Sequence, residues 1–295
     1  MLWPTAKRRH LAAEQAQRLA DVRRKNPESE TWLALVEAAL VESQDATNWD
    51  VAVSAFADGR PVRAPLLHRA ELTVHSRSVS RFVRRLSQLA GLDGALRRWI
   101  NPVQLLEAAI CQDDARIDAL TTTDPPALRV VAQVATVPLL RACAQTIKGR
   151  SEVSPAWWEG YCPLCGAWPT LAEFRGLERK RWLRCGRCGT GWELPWLRCP
   201  FCAETNHEHL GYLAPEEGET TRKVEVCDTC KGYVKAEPTV HELPWWGVLL
   251  DDVATVPLDV AALDRGYHRP AQPGFGLDVK IITRRSGFWG GGGAH

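Results

Sequence analysis

The sequence has no apolar run approaching the roughly 20 residues a helix needs to cross a bilayer, so nothing in it is expected to insert into a membrane. It has little net charge: 37 Lys and Arg against 35 Asp and Glu leave a formal +2, which argues against a broad nucleic-acid-binding surface. The opening MLWPTAKRRHLAAEQ carries a basic patch but no apolar stretch behind it, so Arg8 and Arg9 are not read as a twin-arginine export signal. A reducing cytoplasmic location is therefore expected. Also missing are a G-x-S-x-G elbow, a phosphate-binding glycine loop and an H-E-x-x-H pair, and no enzyme is expected.

What is present is cysteine in pairs. Cys162 and Cys165, Cys185 and Cys188, Cys199 and Cys202, and Cys227 and Cys230 form four C-x-x-C units. In a reducing compartment such thiols hold metal more readily than they form structural disulfides. A C-x-x-C turn aims two sulfurs at one ion while backbone amides face the sulfurs, and two turns complete a tetrahedral four-thiolate site. Nineteen residues separate Cys165 from Cys185, the spacing of zinc-ribbon and rubredoxin-like hairpins, and twenty-four separate Cys202 from Cys227. Consecutive sites are expected, Cys162, Cys165, Cys185 and Cys188 holding one ion and Cys199, Cys202, Cys227 and Cys230 the other. A cross-braced alternative pairs the first and third units, but only ten residues separate Cys188 from Cys199, and TGWELPW reads as a closing strand. Such a site takes iron or zinc and leaves no open position for substrate.

The 295 residues, 45% of them hydrophobic, suffice for two or three compact units. Residues 1–156 read as an all-helical domain, an irregular bundle of five to seven helices. Asn26-Pro27-Glu28, Asn101-Pro102 and Asp124-Pro125 resemble helix starts. Leu33, Val36 and Leu40 form one apolar stripe; Val79, Phe82, Val83, Leu86, Leu89 and Ala90 form another, closed by Gly91. Pro138 is expected to kink or end the last helix. Helical periodicity stops at GRSEVSPAWWEG. Beyond it, the alternation of Trp192, Leu194 and Trp196, and of Val224 and Val226, predicts short strands. The expected fold is thus a helical domain followed by two tandem rubredoxin-like or zinc-ribbon domains at 157–198 and 199–240, each three-stranded. Residues 241–295 are expected to carry a short helix, pack on the ribbons and end in a mobile Gly-rich tail.

Other features have plainer readings. Cys111 and Cys143 lie on apolar helical stretches and read as small core residues. His207 and His209 sit near the second site, but four sulfurs already saturate an ion, so they read as surface or strand-edge residues. Arg77, Arg81, Arg84 and Arg85 line the polar side of one helix, as a solvated face or as a grip for phosphates or an acidic partner. Trp157, Trp158, Trp182, Trp192 and Trp196 are dense enough to fill ribbon cores and leave one or two for an interface.

The order of a helical first half, CPLCGAWP, WLRCGRCGTGWELPWLRCPFC, VEVCDTCKGYVK and DDVATVPLDV resembles the formate dehydrogenase accessory protein family, FdhE. RLADVRRKNPESETWLALVEAALVESQ and APLL extend the resemblance over most of the chain. It implies a cytoplasmic accessory factor that binds the catalytic subunit of a respiratory formate dehydrogenase before export. It also implies rubredoxin-like iron at the eight paired cysteines, zinc being the other metal such sites accept. The end of the chain, RRSGFWGGGGAH, departs from the family, whose members continue with Asn-Pro after Arg-Ser-Gly. A zinc-ribbon nucleic-acid-binding protein and a rubredoxin-like electron carrier are the alternatives.

Overall fold

The computed structural model describes residues 11–44, 49, 51–54, 61–92, 100–121, 124–148, 157–214 and 221–284. The basic N-terminal patch, the start of the GRSEVSPAWWEG boundary, most of the APEEGET turn and the Gly-rich tail lie outside these residues. Before residue 149, six helices are described: α1 (Ala13–Lys25), α2 (Glu30–Ser43), α3 (Ser76–Leu89), α4 (Pro102–Ile110), α5 (Asp114–Asp118) and α6 (Pro125–Lys148). Two of the three expected starts cap as read: the Asn101 carboxamide accepts from the N–H of Val103 at 2.9 Å, and the Asp124 carboxylate accepts from that of Ala127 at 3.1 Å. Asn26 does the opposite. It closes α1, its Nδ2 donating to the Val22 carbonyl at 2.9 Å, and Pro27 opens a short 3-10 turn before α2.

Amphipathic spacing builds the core as expected, up to the helix ends. Val79, Phe82, Val83 and Leu86 are buried, whereas Leu89 in the last turn of α3 is exposed. Gly91 takes φ +73°, and the N–H of Leu92 reaches back to the Ser87 carbonyl at 2.8 Å, a Schellman closure. Helix α6 continues through Pro138. At 24 residues it is long and apolar enough to cross a membrane by length and composition, which corrects the expectation that no segment comes near. Most of it is buried between α2, α3, α4 and α5, the setting of a core helix.

The first half is not all-helical. Strands β1 (Ala52–Ser54) and β2 (Glu71–His75) pair antiparallel, and β9 (Lys280–Arg284) joins β2 in parallel, Leu72 facing Ile281. The short E-L-T-V-H alternation buries Leu72 and Val74, but its partner lies some two hundred residues downstream, so no local pattern announces the pairing.

Beyond residue 156 come β3 (Leu171–Arg175), β4 (Lys180–Arg184) and β5 (Gly191–Glu193), then β6 (Leu210–Leu213), β7 (Lys223–Cys227) and β8 (Tyr233–Thr239). Each set is a three-stranded antiparallel ribbon, but the ribbons do not stand apart. β3 and β8 pair in parallel, Leu171 opposite Lys235, and fuse all six strands into one sheet ordered β5-β4-β3-β8-β7-β6. That corrects the expectation of two separate ribbons. The reason is that β3 and β8 each bring a free edge and buried small residues, Ala172 facing Ala236. The single helix expected after His241 is two, α7 (Trp245–Ala254) and α8 (Val256–Leu263). α8 packs on the second ribbon, and α7 is tied to the same ribbon by Lys235 Nζ, which donates to the Asp252 carbonyl at 2.7 Å; α7 otherwise lies against α1 and α2, with Trp246, Leu250 and Val253 buried beside Leu19, Val22 and Leu33.

Candidate metal centres

The four C-x-x-C turns share one backbone design. The N–H of the first cysteine donates to the carbonyl five residues on: Cys162 to Ala167, Cys185 to Thr190, Cys199 to Glu204 and Cys227 to Gly232, at 2.8–3.0 Å. The residue after the second cysteine is left-handed in each case: Gly166, Gly189, Ala203 and Lys231, with φ of 71°, 75°, 63° and 56°. At Gly166 and Gly189 space adds a second demand. A Cβ there would meet the Phe275 carbonyl at 2.6 Å and the Trp245 Cβ at 2.5 Å. Amides also face sulfur: those of Phe201 and Gly232 donate to Cys199 and Cys230 Sγ at 3.4 Å.

The turns meet in the consecutive arrangement. Cys162, Cys165, Cys185 and Cys188 gather their sulfurs in one group and Cys199, Cys202, Cys227 and Cys230 in another, each within 4.8 Å. The closest sulfur pairs are 3.5 Å apart in the first centre (Cys162 with Cys188, Cys165 with Cys185) and 3.7 Å apart in the second (Cys199 with Cys230, Cys202 with Cys227). A tetrahedral ion with metal–sulfur bonds of about 2.3 Å requires sulfur–sulfur edges of about 3.8 Å, so the donor sets fit one zinc or iron ion each. All four positions would be filled by thiolate, which supplies structural cross-linking or, with iron, one-electron chemistry.

The centres differ in their surroundings. Every sulfur ligand of the first is buried, whereas Cys202 in the second is exposed and Cys230 half-buried. The first is also tied into the N-terminal half of the chain. Leu66 and Leu67 donate backbone N–H groups to the carbonyls of Pro163 and Leu164 inside its first turn, at 2.7 and 3.1 Å. Gln112 Nε2 reaches the Cys165 carbonyl at 3.3 Å, and Arg187, standing between two ligands, donates to the Ala109 carbonyl on α4. Trp245, packed on Gly189, lies under the Arg141 guanidinium of α6. The second centre makes lighter contacts: Tyr267 Oη donates to Asp228 at 3.0 Å, and the His268 N–H to the Lys231 carbonyl at 2.7 Å.

Without an ion, burial and the neighbouring sulfurs push the Cys162 thiol well up, while hydrogen bonds from Cys162, Cys165 and Cys188 pull Cys185 down. At the second centre burial pushes Cys199 up and takes Cys230 to about 11.

Neither His207 nor His209 is a member of the sulfur groups among the described residues. His209 Nδ1 lies 3.2 Å from both Glu204 Oε2 and Thr229 Oγ1. Glu204 accepts from the amides of Asn206 and Thr205 and from Thr229, which hold its carboxyl down to about 2 and brace the loop between two ligand turns. Sequence reading missed this brace and the roles of Gln112 and Arg187; for Arg187 its place inside a ligand turn is a signal. Cys111 and Cys143 lie apart, Cys143 fully buried with its thiol at about 12 because of burial. Arg81 pairs with Glu42 at 2.8 Å, and Arg77, Arg84 and Arg85 face solvent. Of the five tryptophans, Trp192 is buried, Trp157 and Trp182 are half-buried, and Trp158 and Trp196 are exposed.

Residues 197–275 match the family described as FdhE, C-terminal domain. The protein FdhE homolog of Rhizobium meliloti (strain 1021) is 37% identical over 115 residues, 37% of this chain and 37% of the relative. That of Aquifex aeolicus (strain VF5) is 29% identical over 136 residues, 44% of this chain and 45% of the relative. Protein FdhE of Escherichia coli O127:H6 (strain E2348/69 / EPEC) is 29% identical over 133 residues, 43% of this chain and 40% of the relative. The chain thus matches less than half the length of each of these curated relatives. In fold it resembles the crystal structure of the FdhE protein from Pseudomonas aeruginosa, with a TM-score of 0.63 at 22% identity, over 90% of this chain and 95% of that one.

Proposed function

We propose, from the premise that this is an FdhE-family protein in C-terminal sequence and in fold, that the chain is an accessory factor in formate dehydrogenase assembly. In this reading it binds the catalytic subunit of a respiratory formate dehydrogenase in the cytoplasm, before export, and has no turnover of its own. The observation that carries the reading is the pair of four-cysteine centres in a fold shared with FdhE. Closed tetrathiolate sites offer no substrate position, so their part is to hold a binding surface in shape. Thiols kept free for metal also suit a reducing compartment.

The test is co-purification of the chain with the catalytic subunit under anaerobic growth, together with formate dehydrogenase activity in cells lacking the chain. Loss of activity, restored by the wild-type chain, and a stable complex are expected. Normal activity with no complex overturns the proposal. The exposed Cys202 favours a second reading, electron transfer at the second centre if it holds iron. Reversible cycling in a redox titration of the iron-loaded chain would support it.

A further inference from the structure

The six-stranded sheet has an unusual free end. Strand β6 pairs only with β7 among the described residues, leaving one edge open beside the second centre. Over the face of the sheet at that end lies a groove of about 340 Å³ that reaches the edge strand. Its floor is one face of the sheet, where register aligns Tyr212 of β6, Glu225 of β7 and Val234 of β8. Its wall is the segment from Trp196 to Phe201, which leads into the third ligand turn.

The lining is of the kind proteins bury against other proteins. Trp196 is 64% exposed and Tyr212 65%, with Leu197 beside them, although the opposite face of the same ribbon is covered by α8. Aromatic side chains at such density are enriched at interfaces, where they bring large apolar area at small entropic loss. The uncompensated charge has one sign. Lys223 sits over the rings of Phe174 and Tyr212 at 4.8 and 4.9 Å, and neither Lys223 nor Arg198 has a carboxylate partner among the described residues. The carboxylate in the groove, Glu225, is already taken by Arg181 at 2.7 Å.

We propose that an extended, acidic and apolar peptide segment of a partner protein is added along the edge of β6 and lays the side chains of one face over this groove. The open strand supplies backbone partners. Trp196, Leu197 and Tyr212 take alternate apolar side chains, and Arg198 and Lys223 take flanking carboxylates. Because the wall runs through Cys199, the second metal centre holds the wall in place. The inference concerns the chemistry of the segment and does not rest on the identity of the partner.

The experiment pans a phage-displayed library of random 12-residue peptides on the full-length, metal-loaded chain. Enriched sequences should alternate apolar residues and carry Asp or Glu. Synthetic copies should bind with an anisotropy change, lose about tenfold or more in affinity on Trp196→Ala and Tyr212→Ala, and lose as much on the double variant Lys223→Glu, Arg198→Glu. Each variant should keep both ions, and bound peptide should slow amide exchange across residues 210–213. The proposal is overturned by no enrichment over the Trp196→Ala chain, by basic consensus sequences, or by equal binding to wild type and variants. It is also overturned by a dimer in solution that these substitutions dissolve, which would assign the groove to a second copy of the chain.

Discussion

Replacing Glu173 by glutamine asks whether the first centre is held from behind by charge. The Glu173 side chain is fully buried on β3 and takes Arg184 at 2.6 Å and Arg175 at 2.5 Å. Arg184 is fully buried too, and its Nη2 donates at 3.2 Å to the carbonyl of Gly189, which closes the second turn of the centre. Removing one partner from a buried ion pair leaves an uncompensated charge and costs about 3–5 kcal/mol. Here Glu242, half-exposed, stands 3.3 Å from Arg184 Nη1, and the Leu243 carbonyl accepts from the same nitrogen at 2.9 Å. Part of the loss is therefore recovered, and about 3 kcal/mol is expected. With a urea slope of about 2–3 kcal/mol/M, the midpoint falls by about 1 M.

The assay is a urea titration of the metal-loaded chain, read by tryptophan fluorescence and by the ions each sample retains. Glutamine keeps the volume and one acceptor, so the perturbation is of charge and not of packing. The first ion should leave Glu173→Gln at lower urea than wild type, the second at an unchanged concentration. Glu178→Gln removes an ion pair with Lys180 that is exposed on both sides, and should move neither ion. Wild-type release of the first ion from Glu173→Gln, or earlier release of the second, would refute the coupling.

A soluble chelator should strip the second centre first, because Cys202 is exposed while every ligand of the first is buried; metal analysis against time separates the two phases. Gly189→Ala puts a Cβ 2.5 Å from that of Trp245 at φ +75°, and should destabilise the chain by about 2 kcal/mol or more. Ala203→Gly, at φ 63°, relieves strain of about 1 kcal/mol and should leave thermal stability unchanged or raised. Burial holds the metal-free thiols of Cys162 and Cys199 above the ordinary range, so binding at neutral pH expels protons and affinity falls as pH is lowered. Calorimetry in buffers of different ionisation enthalpy counts those protons.

Local patterns in the sequence predict the local structure well. The stripe from Val79 to Leu86 forms the buried face of α3, and Asn101 and Asp124 cap where they should. The cysteine spacing places each ligand turn, because a C-x-x-C turn closes on itself through hydrogen bonds between residues five apart. What cannot be read are pairings whose halves are distant. β2 finds β9 and β3 finds β8 across long stretches of chain, and nothing in Leu72 or Ala172 names the partner. Asn26 misleads because one carboxamide can cap the helix before it as well as the one after. Helix α6 is underrated for its membrane-like length because Arg129 and Arg141 interrupt the apolar run, yet both side chains find partners, Asp118 and the Trp245 ring.

The inequality of the two centres has a trace in the sequence. The first centre's turns end CG and CG; the second's end CA and CK. All four closing residues are left-handed, so the turn alone would favour glycine at each. Only Gly166 and Gly189 are also pressed by other parts of the chain, the segment at Phe275 and helix α7. There a side chain costs both backbone strain and steric overlap, and glycine is required. At Ala203 and Lys231 the strain is the whole cost, and the Lys231 side chain uses the open space to pair with Asp228 at 2.7 Å. The residue after a C-x-x-C therefore reports how closely the rest of the protein packs on that turn. In this chain it separates an enclosed centre that joins the helices to the sheet from an open one beside the sheet's free edge.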